Sequence, residues 1–203
     1  MTDFANLPAD ITPDALFTAI GEVLANEPAP ANASPDKLLI HVSGEAGGTW
    51  AMGFDAGKLH IAQGTASNPP LQVSITTADL RAFVAGSIRD AVKAKVGNKA
   101  AGIDPKQIAK LYKITNKTEQ VRAYSGDLAL VIENGADKHA ITLTFGGGAP
   151  KPAAPTTTIS ITLEDFLALT GGELNPQAAF FAGKIRLDGD MNLAMGLMAL
   201  AMG

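Results

Sequence analysis

The sequence predicts an α/β protein made of two similar repeats, and three observations favour this class. Residues 73–86 match residues 159–172 at an offset of 86, with six of the fourteen positions identical. In both segments an alternating strand runs directly into a capped helix. The chain also ends on fourteen residues that would form a helix with two apolar faces. Because this repeat is too long for a solenoid unit, we expect two units rather than an array.

Composition narrows the chemistry that this chain can perform. The 203 residues are 46% hydrophobic, with one Trp, two Tyr and eight Phe, so the expected core is mainly aliphatic. The net charge of −4 argues against nucleic-acid binding, because no excess of basic residues is available to neutralise phosphates. The chain has no cysteine, which excludes disulfides and cysteine-ligated metals.

No arrangement of polar residues is typical of an enzyme. The sequence lacks a Gly-x-Ser-x-Gly elbow, a phosphate-binding Gly-Lys-Ser/Thr loop and a His-Glu-x-x-His pair. We therefore expect no catalytic activity, no cofactor and no metal site. The N-terminus does not resemble a signal peptide, and no apolar run reaches the ~18 residues of a membrane span. The expected location is the cytoplasm.

The first repeat is expected to begin with a helix and continue into strands. Thr76 is predicted to cap a helix with Asp79 at its third position, and Gly86 is predicted to close that helix with a positive φ. The predicted helices are 13–25, 77–85, 87–96 and 105–115. The predicted strands are 37–43, 48–54, 58–63 and 71–76, with a weak strand at 98–103.

The second repeat uses the same signals. Thr162 and Asp165 take the places of the first cap, and Gly172 closes the helix. The predicted strands are 127–133, 138–145, 156–162 and 184–188. The predicted helices are 163–170, one that begins at Pro176 and one from residue 191. We expect the domain boundary between 1–117 and 118–203. Within the second repeat, residues 146–155 are expected to form a flexible hairpin connection.

Several strand residues have an expected face. Trp50 shares a strand face with Met52 and Phe54, which indicates packing beneath the helices. The three histidines have no metal-like spacing, and we expect each on the solvent face of its strand: His41, His60 and His139.

The terminal helix has two different apolar faces. At about 100° per residue, one face carries Met191, Met195, Met198 and Met202. The opposite face carries Leu193, Leu197 and Leu200. Methionine suits surfaces that adapt to varied apolar shapes, so this face either borders a ligand or packs against the first repeat or a second subunit.

Residues 159–203 resemble the C-terminal half of a sterol carrier protein 2 (SCP2) domain. The matching features are the strand-ending Thr162, an acidic helix start, a Gly-x-Leu-Asn-Pro turn, a Phe-x-x-Gly-Lys-Ile segment and a Gly-Asp-Met helix start. The first repeat resembles the N-terminal half, since a helix, the Trp50 strand and the strands at 57–59 and 73–76 follow in the family order.

The resemblance implies a twisted, mainly antiparallel sheet of about five strands in each repeat, with helices on one face. Between sheet and helices it implies an apolar tunnel for a sterol, fatty acid or acyl-CoA. The first repeat departs from the pattern in its last strand, so we place lipid binding in the second, which is shortened at its start. The candidate binding residues are Phe166, Leu169, Phe180, Phe181, Met191, Met195, Met198 and Met202.

The preferred function is lipid binding or lipid transfer, with a lipid as the main partner. The sequence also allows transient membrane contact and a homodimer, whereas no nucleic-acid partner is expected. The alternative is a non-catalytic packing or assembly module whose Met face is buried between repeats or subunits.

Overall fold

The computed structural model describes residues 3–4, 6–25, 34–97 and 118–195. Within these residues the chain forms one eight-stranded mixed sheet together with helices, which confirms the α/β class. The predicted strand at 98–103, the predicted helix at 105–115 and residues 196–203 lie outside the described residues.

The elements agree closely with those predicted. The strands are β1 (Leu38–Ser43), β2 (Gly48–Asp55), β3 (Lys58–Gln63), β4 (Leu71–Thr76), β5 (Gly126–Asn134), β6 (Asp137–Phe145), β7 (Thr157–Thr162) and β8 (Ile185–Gly189). The helices are α1 (Pro13–Leu24), α2 (Thr77–Ala85), α3 (Ser87–Val96), α4 (Thr118–Arg122), α5 (Leu163–Thr170) and α6 (Pro176–Phe181). Residues 191–195 are also helical. Sequence reasoning missed α4, because five residues are too few to show a helical period.

The strands follow the order β3-β2-β1-β4-β6-β5-β7-β8. The pairs β1–β4 and β5–β7 are parallel, and the other neighbours are antiparallel. We call the antiparallel β4–β6 pair, which runs from Leu71↔Phe145 to Ser74↔Thr142, the seam. Two separate sheets of about five strands were expected, but the described strands form one sheet of four plus four. An unpaired strand edge is a liability, and at the seam each half covers an edge of the other.

One side of this sheet, which we call the apolar face, carries nearly all the large hydrophobic strand residues. In β1 these alternate as Leu38, Ile40 and Val42. The register then carries the face across the sheet, since Ile40 lies opposite Trp50 and Val73, and Val73 lies opposite Leu143. The opposite face is rich in Thr, Ser, Gln and charged residues. Helices α1, α2 and α5 pack against the apolar face, as expected.

The helix caps show which local predictions succeed. Thr76 accepts the backbone N–H of Asp79 at 3.0 Å, and Thr162 accepts that of Asp165 at 3.2 Å, as predicted. Gly172 has the predicted positive φ of 75°. The prediction for Gly86 is wrong, because its φ is −130°. Gly86 instead lies where α2 meets α3, and a Cβ there would come within 3.1 Å of the Cα of Ala82.

The core joins the two halves of the chain. Trp50 is buried, and its ring centroid lies 4.8 Å from that of Phe17 in α1, so its predicted place beneath a helix is confirmed. The same cluster contains Leu128 of β5 and Leu193 near the C-terminus. A second cluster combines Ala82 and Ile88 with Ile132 and Ile161.

Candidate functional site: an apolar cavity

A cavity of about 390 Å³ lies between α1, α2 and the apolar face of the sheet. Every residue that lines it is apolar, so it offers neither a side-chain hydrogen-bond donor nor an acceptor. The lining residues are Leu16, Phe17, Ile20, Leu38, Ile40, Met52, Ile61, Leu71, Val73, Ile75, Leu80, Phe83, Val84, Leu130, Ile141 and Leu143.

Regular element periods bring these side chains together. Helix α2 presents Leu80, Phe83 and Val84, whose spacing of three and four residues places them on one helix face. Helix α1 presents a similar stripe, and alternate residues of the strands form the floor. Three floor residues, Leu130, Ile141 and Leu143, come from β5 and β6, so the cavity crosses the seam.

The floor of the cavity is incompletely covered. Ile141 and Leu130 lie in the middle of the sheet on its apolar face, yet both are only half-buried. Across β7 and β8 the same register row continues into Ile159 and Leu187, which are also half-buried. We call these four residues the apolar row. Accessible apolar surface therefore extends from the cavity over the second half of the sheet.

A polar pair lies at the rim beside α2. The Nδ1 atom of His139 is 3.0 Å from Oδ1 of Asp79, and the hydroxyl of Thr76 donates to Oδ2 of Asp79 at 2.8 Å. The expectation that His139 lies on the solvent face is wrong. Residue 139 has the same parity in β6 as Ile141 and Leu143, which face the cavity. That alternation is visible in the sequence and could have placed His139 correctly.

The second half carries a set of surface ion pairs instead. Lys184 donates to Asp165, and Arg186 and Lys138 pair with Glu133. The hydrogen bond from Lys138, with the nearby Arg186, lowers the pKa of Glu133. The hydrogen bond from Lys184 lowers the pKa of Asp165, and the same contact raises the pKa of Lys184. These ion pairs lie at the surface of the second half, and none of their residues lines the cavity.

The aromatic residues predicted as binding residues lie around α5 and α6. Phe166 and Leu169 are half-buried against the second core cluster. Phe180 is half-buried, whereas Phe181 is 87% exposed, which agrees with the rule that consecutive helical residues point in different directions.

The predicted methionines are only partly described. Met191 and Met195 are 48% and 53% exposed, and Met198 and Met202 lie outside the described residues. None of the predicted binding residues that the structure describes lines the cavity. Their contact with a lipid stays a prediction.

Sequence reasoning missed the residues that do line the cavity. It predicted α1, α2 and the strands β1, β4 and β6, but it named none of their residues as binding residues. Periodicity shows which side chains point inward, and it contains no signal for a gap between them. Thirteen of the sixteen lining residues lie between Leu16 and Val84, in the half where lipid binding was not expected.

In the described part of the chain, no helix is long and apolar enough to cross a bilayer. Among the same residues, no three His, Asp or Glu side chains are arranged to hold a metal ion.

Comparison with known proteins finds relatives for parts of the chain. Residues 106–202 match the SCP-2 sterol transfer family. Peroxisomal multifunctional enzyme A of Dictyostelium discoideum is 33% identical over 122 residues, which is 60% of this chain and 25% of that protein. Sterol carrier protein 2 of Homo sapiens is 54% identical over 43 residues, which is 21% of this chain and 8% of that protein.

Among solved structures, sterol carrier protein 2 like 2 of Aedes aegypti matches with 23% identity and a TM-score of 0.32. The match covers 55% of this chain and 96% of that one. The chain spans a quarter or less of the length of the two curated relatives named above.

These relatives correct one expectation. The chain was expected not to be an enzyme, and the partial match to a multifunctional enzyme contradicts this. The family match covers one continuous segment, and the duplication itself has no separate match. The chain is thus similar to the SCP-2 sterol transfer family over residues 106–202 and to sterol carrier protein 2 over 43 residues.

Proposed function

We propose that this protein binds single lipid molecules and places their tails in the apolar cavity. The carrying observation is a 390 Å³ space lined only by hydrophobic side chains. Ligand pockets in proteins usually measure about 300–1,000 Å³ and are mainly apolar. The floor residues are half-buried, so part of their apolar surface is exposed to water. A tail that enters the cavity would cover that surface.

The driving force would come from the tail. Burial of each methylene contributes about 0.8 kcal/mol, which corresponds to roughly a fourfold gain in affinity. Binding would therefore tolerate different lipids, and the length of the tail would matter until the cavity is full. The sterol transfer family and the sterol carrier relative support this class of ligand.

We also propose that the two halves, 1–117 and 118–203, arose by duplication. Three repeated features support this: the matching segments, the Thr–Asp caps, and the parallel pairs β1–β4 and β5–β7. In this proposal the halves share one cavity across the seam instead of holding one each.

We propose that the predicted residues of the second half extend the site. The apolar row runs from the cavity to β8. At this end of the sheet α5 contacts β5 and β7, and α6 contacts β8. Phe166, Leu169, Phe180 and the four methionines would border a tail that is longer than the cavity. The exposed Phe181 and Met191 suit transient contact with a membrane.

A lipid titration tests the main proposal. A fluorescent fatty acid should bind the wild-type protein saturably, and Val73→Phe should weaken binding about tenfold or more by filling the cavity. Val131→Phe is the matched control, because Val131 lies on the opposite face of the sheet and should leave affinity within about twofold. Absence of saturable binding to the wild type would overturn the proposal.

The assembly alternative has one observation in its favour, namely the exposed Phe181, Met191 and Met195. Sedimentation over a range of concentrations measures it. A stable dimer that dissociates on Phe181→Ser would support a subunit interface there, whereas a monomer at all concentrations would exclude the homodimer. The cytoplasmic location stays a prediction, and the name of the Dictyostelium relative places that protein in the peroxisome.

A further inference from the structure

A lipid in this cavity needs a partner for its polar end. The sixteen lining side chains contain no hydrogen-bonding group. An oxygen that leaves water without a new partner loses about 1–3 kcal/mol, so the head must lie where a polar group meets the cavity. The rim beside α2 provides such a place.

His139 lies at this rim. It shares the apolar face of β6 with Ile141, and residues two apart on a strand are about 7 Å apart. Its ring centroid is 6.3 Å from that of Phe83, edge to face. Ile141 and Phe83 both line the cavity. The imidazole ring therefore borders the apolar space without being part of its wall.

Asp79 holds this imidazole in one orientation. Its Oδ2 accepts from Thr76, and its Oδ1 lies 3.0 Å from Nδ1 of His139. Because a carboxylate only accepts hydrogen bonds, Nδ1 must carry the proton. The other ring nitrogen, Nε2, has no hydrogen-bond partner among the residues that the structure describes. It accepts from a hydroxyl when the ring is neutral and donates to a carboxylate when the ring is protonated.

The second half shows what this carboxylate requires structurally. Asp165 corresponds to Asp79 at the offset of 86, and it also accepts from its capping threonine, Thr162. Its second partner is Lys184, a surface ammonium that is 46% exposed. The His139 and Asp79 side chains are only 16% and 15% exposed. A lysine is therefore enough to pair with this carboxylate. A histidine in the same role also places a second ring nitrogen beside the cavity.

We propose that His139, positioned by Asp79, binds the oxygen head group, hydroxyl or carboxylate, of the lipid whose tail fills the cavity. This inference rests on the proposed function. It gives the site a direction, with the head between α2 and the start of β6 and the tail running under α1.

Three competitors of equal chain length test the proposal: a fatty alcohol, the corresponding fatty acid and the alkane. Each displaces a fluorescent lipid from the wild type and from His139→Leu. We expect the variant to bind the alcohol, the acid or both about tenfold more weakly, the effect of one lost hydrogen bond. Its affinity for the alkane should stay within about twofold. Loss for the alcohol alone identifies a neutral imidazole as acceptor, and loss for the acid alone identifies a donor.

The matched control is Lys184→Leu, which removes the corresponding partner of Asp165 and should leave all three affinities within about twofold. Equal loss for the alkane and the headed lipids in His139→Leu would mean a structural role and would overturn the inference. Unchanged affinities would overturn it too. If the wild type binds none of the three, the proposed function itself fails.

A spectroscopic measurement on the wild type avoids dependence on the variant's folding. The ring nitrogens of His139 are observed by NMR in protein labelled with ¹⁵N-histidine, and His139→Gln assigns the signal. The Nε2 resonance should shift on addition of the alcohol or the acid and stay in place with the alkane. A resonance that responds equally to all three would contradict head-group contact.

Discussion

At the scale of single residues, Asp79 and Asp165 show how one local motif serves two purposes. Each carboxylate receives a hydrogen bond from its capping threonine. Each also binds a basic side chain from the neighbouring part of the sheet. In the first half that partner is His139 at the cavity, and in the second it is Lys184 at the surface. The repeated motif gives both carboxylates the same position at a helix start, and the neighbouring strand determines which basic group each one binds.

The ion pairs of the second half predict a loss of stability in acid. The lowered pKa of Asp165 means that its pairing stabilises the fold above its usual pKa, about 4, and that this contribution is lost as the pH falls through the folded-state value. The raised pKa of Lys184 acts at the alkaline end, where its contribution is lost above about pH 10.5. Asp165→Asn should therefore be less stable than the wild type at neutral pH, and this difference should shrink toward pH 3.

Urea unfolding at several pH values measures that difference. Asp137→Asn serves as control, because Asp137 is exposed and forms no ion pair with any residue in the described ranges. A gap between wild type and Asp165→Asn that stays constant down to pH 3 would contradict the assignment.

Prediction from sequence succeeded where the signal is local. A threonine three residues before an aspartate identified both caps, because the contact spans a single turn. His139 was misplaced although its parity with Ile141 is visible, since the histidine was judged by its polarity and not by its position in the strand. No residue type reports that a side chain faces an empty space, so the cavity lining was missed altogether.

At the scale of elements, the N-cap of α5 tests the capping hydroxyl of Thr162, which accepts from the N–H of Asp165 and donates to its carboxylate. Thr162→Ala removes the acceptor for the N–H of Asp165, which leaves that donor without its partner. We expect a loss of about 1 kcal/mol in the free energy of unfolding, the usual cost of a lost cap. Urea denaturation measures it, and Thr162→Ser, which keeps the hydroxyl, should recover most of the loss. An equal loss in both variants would mean that packing of the threonine methyl group matters instead.

The elements themselves were largely predictable. Alternation in β1 to β8 and the proline and threonine starts of α1, α2, α5 and α6 each lie within one short window of sequence. The order of the strands could not be predicted from such short segments. That β4 pairs with β6 depends on which edges remain open after each half has paired internally, and this is a property of the assembled sheet.

At the scale of the whole molecule, the seam makes the two halves dependent on each other. The cavity draws lining residues from both sides of the predicted boundary at 117/118, and the larger core cluster does the same. The family match begins at residue 106, before that boundary. The boundary stays a prediction, but it cannot separate two independent cavities in the described part of the chain, because the cavity there crosses it.

This dependence predicts that the protein unfolds as one cooperative unit. The chain has a single tryptophan, Trp50, and it lies in the first half, so its fluorescence reports on that half alone. If the seam and the shared core couple the halves, Thr162→Ala in the second half should shift the Trp50 transition as well. With a slope of about 2 kcal/mol per molar urea, a loss of about 1 kcal/mol lowers the midpoint by about 0.5 M. Far-UV circular dichroism, which reports on both halves, should shift by the same amount. The opposite result would be a Trp50 midpoint that does not move while circular dichroism shows an earlier second transition. The halves would then unfold separately, and the seam would be a contact between two domains instead of part of one sheet.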